Sequence, residues 1–112
     1  MNEPVTPVHV LDRLYAVIES RRAADPNLSN TAKLFHKGTR KIAQKVGEEA
    51  VEVVIEAVRN KRDRLIAESA DLMYHVLVLW ADQRIHPDEV WAELARREGV
   101  SGIAEKLARD ES

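Results

Sequence analysis

The chain has 112 residues, with 17 Lys and Arg against 19 Asp and Glu, a formal net charge of −2, and no cysteine. Near-neutral charge argues against a protein devoted to nucleic acid, which usually carries a strong basic excess. The missing cysteines exclude disulfides, thiolate metal sites and thiol nucleophiles, and they fit a cytoplasmic setting. At 45% hydrophobic, 32% charged and only 4% aromatic residues, the composition favours long amphipathic helices over strands. A chain of this length is expected to form a single domain over residues 1–112, with its core at about 9–97.

Met1 to Val8 carries Glu3 and two prolines, without the basic start and apolar run of a signal peptide. Apolar residues at Val10, Leu11, Leu14, Tyr15, Val17 and Ile18 then predict a helix from Val8 to Arg22. Ala24 to Asn30 is rich in turn-formers, and Ser29 or Asn30 is placed to cap a short helical segment over Thr31 to His36, ended by Gly38. Thr39 is the expected N-cap of the next helix, which runs to about Arg59 on Ile42, Val46, Ala50, Val53, Val54, Ala57 and Val58.

Asn60 and Lys61 form the following turn, and Asp63 is the expected cap of a helix from Arg64 to about Gln83. Its second half, Leu72 to Ala81, is apolar nearly all round, too short to span a bilayer, and in need of cover on most sides, which predicts a partner subunit. His86-Pro87-Asp88-Glu89 reads as a helix start, with Pro at the first helical position and acids beside the positive end of the dipole. That helix carries Val90, Trp91 and Leu94 and ends near Gly99, leaving a tail to Ser112 that forms another helical turn or frays. The fold class expected is all-α, an antiparallel bundle of four to five helices completed by homodimerisation.

Chemistry concentrates in Lys45-Val-Gly-Glu48-Glu49-Ala-Val-Glu52. Glu49 and Glu52 are i,i+3 neighbours and Glu48 and Glu52 are i,i+4 neighbours, so the three share a helix face. A solvated acidic face is the commoner fate of such a cluster. Glu68 and Asp71 repeat the i,i+3 spacing on the helix that turns apolar at Leu72, and the fifteen residues separating Glu52 from Glu68 allow an antiparallel return. Converging carboxylates repel, by about 4 kcal/mol for a pair at 4 Å in an effective dielectric near 20. A divalent cation removes the conflict, and all-oxygen ligation selects Mg²⁺, with Mn²⁺ as a substitute.

Lys33, Lys37, Lys41 and Lys45 recur every four residues with Arg40 beside them, a ridge suited to polyphosphate or simply to solvent. His75 reads as a hydrogen-bonded core histidine, Trp80 and Trp91 as core, and Gly47 as a site of close packing. His9, His36 and His86 show no metal-ligand spacing.

These residues resemble the all-α nucleotide pyrophosphohydrolases, the MazG-like superfamily. Its EExxE and ExxD signatures appear as Glu48-Glu49-x-x-Glu52 and Glu68-x-x-Asp71. Thr31 to Phe35, Lys41 to Glu52 and Glu68 to Leu79 are closer still to the phosphoribosyl-ATP pyrophosphatase family of histidine biosynthesis. The resemblance spans roughly residues 9 to 97 and implies a nucleotide-binding hydrolase that splits phosphoribosyl-ATP into phosphoribosyl-AMP and pyrophosphate. It further implies Mg²⁺ on Glu49, Glu52, Glu68 and Asp71, with Glu48 assisting a second ion or acting as base. Lys37, Lys41 and Lys45 would grip phosphates. Asn30 departs from the aromatic residue often found at its position in relatives, and the zinc cyclohydrolase fused to this activity in some organisms lacks its cysteines here. The rival readings are a house-cleaning nucleoside triphosphate pyrophosphohydrolase of the same superfamily and a non-enzymatic helical interaction module. A di-iron carboxylate protein would show Glu-x-x-His motifs, and none occurs.

Overall fold

A computed structural model describes residues 7–98 together with Lys106 and Arg109. It contains five helices: α1 (Pro7–Ser20), α2 (Asn30–Lys37), α3 (Thr39–Val58), α4 (Arg62–Asp82) and α5 (Pro87–Arg97). No strand occurs among the described residues, so the all-α class holds. None of the helices is long and apolar enough to cross a membrane. The expectation for the tail lies outside the described residues, apart from those two positions.

The helix ends follow local chemistry, with two departures from expectation. Ser29 does cap α2, its hydroxyl oxygen accepting from the Ala32 N–H at 3.1 Å. Gly38, at φ +93°, then separates α2 from α3 in a backbone conformation that side-chain-bearing residues rarely adopt. This glycine occupies the cap position of α3 and Thr39 is already helical. The Thr39 hydroxyl donates instead to Asp82 Oδ2 at 2.5 Å, tying the start of α3 to the end of α4. Asp63 is likewise no cap: α4 begins at Arg62, so Asp63 sits inside the first turn, where its charge still meets the positive end of the dipole. At α5 the cap is an imidazole. His86 Nδ1 accepts from the Asp88 N–H at 3.0 Å, and Glu89 accepts from the His86 N–H at 2.8 Å, closing a capping box ahead of Pro87.

The core is drawn from the first four helices. Ile18, Ile42, Leu77, Val78 and Ala81 are at most 1% exposed, with Tyr15 and Leu34 beside them. The α3 and α4 helices, joined by the turn at Arg59 to Lys61, form the most extensive pairing, while α1 lies on α4 and α2 on both α3 and α4. Each fully buried Leu or Ile contributes roughly 1.5–3 kcal/mol. Cover for the apolar half of α4 therefore comes largely from within the chain. Leu77, Val78 and Ala81 are buried, and Trp80 is half-buried with its ring edge-to-face on Trp91 at 5.9 Å.

On α3 and α4 themselves the bare apolar surface lies instead toward their connecting turn, where Val51 is 56%, Val54 60%, Val58 79% and Ile66 58% exposed. In that half the buried group is a charge. Glu56 is 4% exposed and accepts from Arg59 and Arg64, both at 3.0 Å.

Candidate active site

The pairing of α3 with α4 brings Glu49 opposite Glu68 and Asp71. One carboxylate oxygen from each lies within 4.8 Å of the others, the spacing of a group able to hold a metal ion. Glu49 and Glu68 are half-buried and Asp71 is exposed. Crowding leaves a clear electrostatic mark on Glu68, whose carboxyl is held above its ordinary value. Partial loss of hydration is the main cause, followed by the charge of Asp71, then the charge of Glu49 and a hydrogen bond shared with it, and the charge of Glu52. Crowding by neighbouring carboxylates thus disfavours the charged form of Glu68.

The other acids expected at the site stand at its edge. Glu52 is exposed; its charge reaches Glu68, yet it does not join the three-carboxylate group. Glu48 is exposed and accepts from Gln44 at 3.3 Å. Lys45 bridges the two neighbours, its ammonium standing 3.7 Å from both Glu48 and Glu49.

Lys45 also opens the cationic part of the site. Lys37, Lys41 and Lys45 line one wall of a cleft of about 390 Å³, and Glu48, Glu49 and Asp71 line its acidic end. Gly38 breaks the helix between Lys37 and Lys41, and Lys37 still lines the cleft with the other two. Lys33 and Arg40, which the four-residue spacing placed on the same ridge, are exposed and do not line the cleft. The remaining wall is Asn30, Leu34 and His75. His75 is buried and hydrogen-bonded, as the core reading expects, and it also borders the cleft, which that reading missed. The available signal was its i,i+4 spacing from Asp71, which puts both on one face of α4.

A roomier cleft of about 520 Å³ lies on another part of the surface, beside Arg22, Phe35, Asp82 and Arg84. Its one carboxylate, Asp82, is taken up by Thr39 and Gln83, and the Arg22 guanidinium is held by Glu19 and by the Ala81 carbonyl. The smaller cleft, and not this one, gathers both acids and lysines.

Comparison with known proteins points the same way. A family model described as phosphoribosyl-ATP pyrophosphohydrolase matches residues 11–98. A phosphoribosyl-ATP pyrophosphatase of Azospirillum brasilense is 62% identical over 109 residues, covering 97% of this chain and 98% of the relative. One from Paramagnetospirillum magneticum is 59% identical over 100 residues, covering 89% and 92%. Another, from Gluconobacter oxydans, is 59% identical over 100 residues, covering 89% and 75%. The matched span takes in both acidic pairs, the lysine wall and His75, and the chain belongs to the phosphoribosyl-ATP pyrophosphohydrolase family.

Proposed function

We infer that this chain hydrolyses 1-(5-phosphoribosyl)-ATP to 1-(5-phosphoribosyl)-AMP and pyrophosphate, a step of histidine biosynthesis, at the cleft between α2, α3 and α4. The observation that carries the reading is the juxtaposition of three mutually close carboxylates with a wall of three lysines. Such a cleft suits a cation and a polyphosphate together, and neither alone.

The donor set fits magnesium. Every candidate ligand is a carboxylate oxygen, which selects a hard ion, and the crowding that holds the Glu68 carboxyl above its ordinary value is what a cation would relieve. Glu49, Glu68 and Asp71 would hold Mg²⁺, or Mn²⁺ in its place, with Glu52 able to reach the same point from the next turn of α3. When bound, the ion would neutralise charge on the α-phosphate and the departing pyrophosphate and make a nearby water more acidic.

The protein's own groups do the rest. Lys37 and Lys41 hold phosphate oxygens along the cleft. Lys45, which pairs with Glu48 and Glu49 in their absence, turns to the phosphates once those carboxylates are occupied. Glu48 takes a proton from the attacking water, whose oxygen bonds to the α-phosphorus as the bond to the α–β bridging oxygen breaks.

The same reading includes a homodimer. The stripe of Val51, Val54 and Val58 on α3 is bare, with Ile66 of α4 exposed as well. An exposed apolar strip on a helix pair is buried symmetrically against its own copy about a two-fold axis, which makes a second copy the fitting occupant.

A substrate panel with pyrophosphate detection, run with and without Mg²⁺, tests the activity. Magnesium-dependent preference for phosphoribosyl-ATP over ATP, dUTP and dCTP is the expected result. Preference for a deoxynucleotide would move the chain to a house-cleaning role. No turnover, together with no saturable Mg²⁺ binding by calorimetry, would leave a non-enzymatic helical module.

A further inference from the structure

The acids and lysines of the cleft account for the charged part of a nucleotide, but a nucleotide also has a neutral part. Of the groups that meet it, His75 is the one whose orientation is fixed. Its ring is only 8% exposed. Nδ1 lies 2.8 Å from the backbone carbonyl oxygen of Asp71, a group that can only accept, so Nδ1 carries the hydrogen. The ring meets the edge of Tyr74 at 5.0 Å and 83°, and the Tyr74 hydroxyl is itself hydrogen-bonded to Thr31 on α2. The imidazole is thus held on two sides.

Its remaining polar atom is Nε2, and no group among the described residues bonds to it. Among the described residues the fully buried side-chain nitrogens and oxygens without a partner are Arg22 Nε and Trp91 Nε1; His75 Nε2 is not one of them, so it keeps some access to the surface, and the residue lines the cleft. With the hydrogen placed on Nδ1 by this geometry, Nε2 is the ring atom left to accept. The cleft therefore borders an oriented imidazole one helical turn, about 5.4 Å, beyond Asp71.

We propose that His75 Nε2 accepts a hydrogen bond from a hydroxyl of the ribose that bears the triphosphate, and so makes the enzyme selective for ribo- over deoxyribonucleotides. This rests on the functional reading above. With the α-phosphate at the acidic centre, the sugar is the next part of the substrate, and a step of one helical turn along α4 is comparable with the span from α-phosphorus to the ribose hydroxyls. The polarity also matches: a hydroxyl donates where the lysines cannot accept and the carboxylates are committed. His75 acts here as a specificity residue and takes no part in the proton transfer.

The test compares phosphoribosyl-ATP with its 2′-deoxy and 3′-deoxy analogues, altered in the triphosphate-bearing ribose, on wild type, His75→Leu and His75→Gln. Wild type is expected to lose on the order of tenfold in kcat/KM on one analogue, the size of a neutral hydrogen bond. His75→Leu should treat that analogue and the parent within about twofold, and His75→Gln, which keeps an acceptor, should recover part of the preference.

Mg²⁺ titration by calorimetry should be unchanged in His75→Leu. Wild-type indifference to both analogues overturns the proposal without any variant. So does a preference that survives intact in His75→Leu, or loss of Mg²⁺ binding in that variant, which would make His75 a support for Asp71. If wild type turns over no phosphoribosyl-ATP at all, the functional reading itself fails, an outcome distinct from turnover that ignores the missing hydroxyl.

Discussion

The two ends of the α3–α4 pair are built from similar residues and meet opposite fates. Toward the start of α3 and the end of α4, the helices α1 and α2 close over Ile42, Leu77, Val78 and Ala81, and no large apolar side chain of α3 or α4 there is exposed. Toward the connecting turn the same pair continues without cover, and Val51, Val54, Val58 and Ile66 stand open. Residue type does not separate these ends; the reach of α1 and α2 does. The carboxylates of Glu49, Glu68 and Asp71 fall on the border between them. The border has the right dielectric for such a centre. It is dry enough to raise the Glu68 carboxyl, and Glu49 and Asp71 open there onto the lysine-lined cleft.

The largest expected effect tests the border itself. Glu49→Gln keeps the shape and removes a charge from the three-carboxylate group. Turnover should fall by more than about a hundredfold, beyond the loss seen when only a supporting partner of a metal ligand is removed. Helical circular dichroism should not change. Glu52→Gln sharpens the map of the site, because Glu52 stands outside the close group: abolished turnover there makes it an essential ligand, and near-normal rates exclude it.

The covered and bare ends are then compared directly. Leu77→Ala empties a fully buried position and should cost about 2–5 kcal/mol in denaturant unfolding. Val54→Ala, at a position 60% exposed, should change the stability of the isolated chain by less than about 0.5 kcal/mol. Val54→Asp should instead halve the mass in sedimentation at micromolar concentration if a second copy covers the stripe. A wild-type chain that sediments as a monomer would remove the dimer from the reading and leave the helix pair intact.

These ends were not equally legible in the sequence. The periodicity of Val46, Ala50, Val53 and Ala57 and the apolar run from Leu72 identify α3 and α4 as helices, and the paired i,i+3 acids place the centre between them. What periodicity does not encode is which neighbour covers a face. The all-round apolar run of α4 reads as a demand for a partner subunit, whereas Tyr15 and Ile18 of α1 meet much of it within the chain. The open stripe on α3 is the less conspicuous pattern of valines. Caps failed for a similar reason. Thr39 and Asp63 have the right side chains, but a left-handed glycine and an earlier helix start decide the boundaries, and the histidine cap of α5 is set by Glu89 three residues on. His75 was legible as core; its place beside the cleft depends on packing that only the assembled helices create.

At the bare end, the buried charge offers a smaller test. Glu56 sits at 4% exposure, while its partners Arg59 and Arg64 lie mostly in solvent. Arg64→Ala removes one of two charge-assisted bonds and should cost about 1 kcal/mol, since Arg59 still satisfies the carboxylate. If the loss is as large as that of Leu77→Ala, Glu56 anchors the turn more strongly than the covered core anchors the other end.

The smallest effect has the most informative sign. Because Glu68 is held above its ordinary value, the folded chain binds a proton there more readily than the unfolded chain. The stability this group contributes is full below the ordinary glutamate range and is lost as pH rises through its raised folded value. Metal-free protein should therefore gain a little in Tm as pH is lowered from neutrality toward that range, as far as this group governs it. Glu68→Gln should raise the metal-free Tm at neutral pH and flatten this part of the profile. Saturating Mg²⁺ reverses the slope, since the ion competes with the proton for the same oxygens, and its stabilisation should shrink as pH falls. A thermal-melt series at several pH values, with Mg²⁺ and with chelator, reads all three. A metal-free Glu68→Gln variant no more stable than wild type would mean that the carboxylates do not crowd one another, and the border would be only the edge of a helix pair.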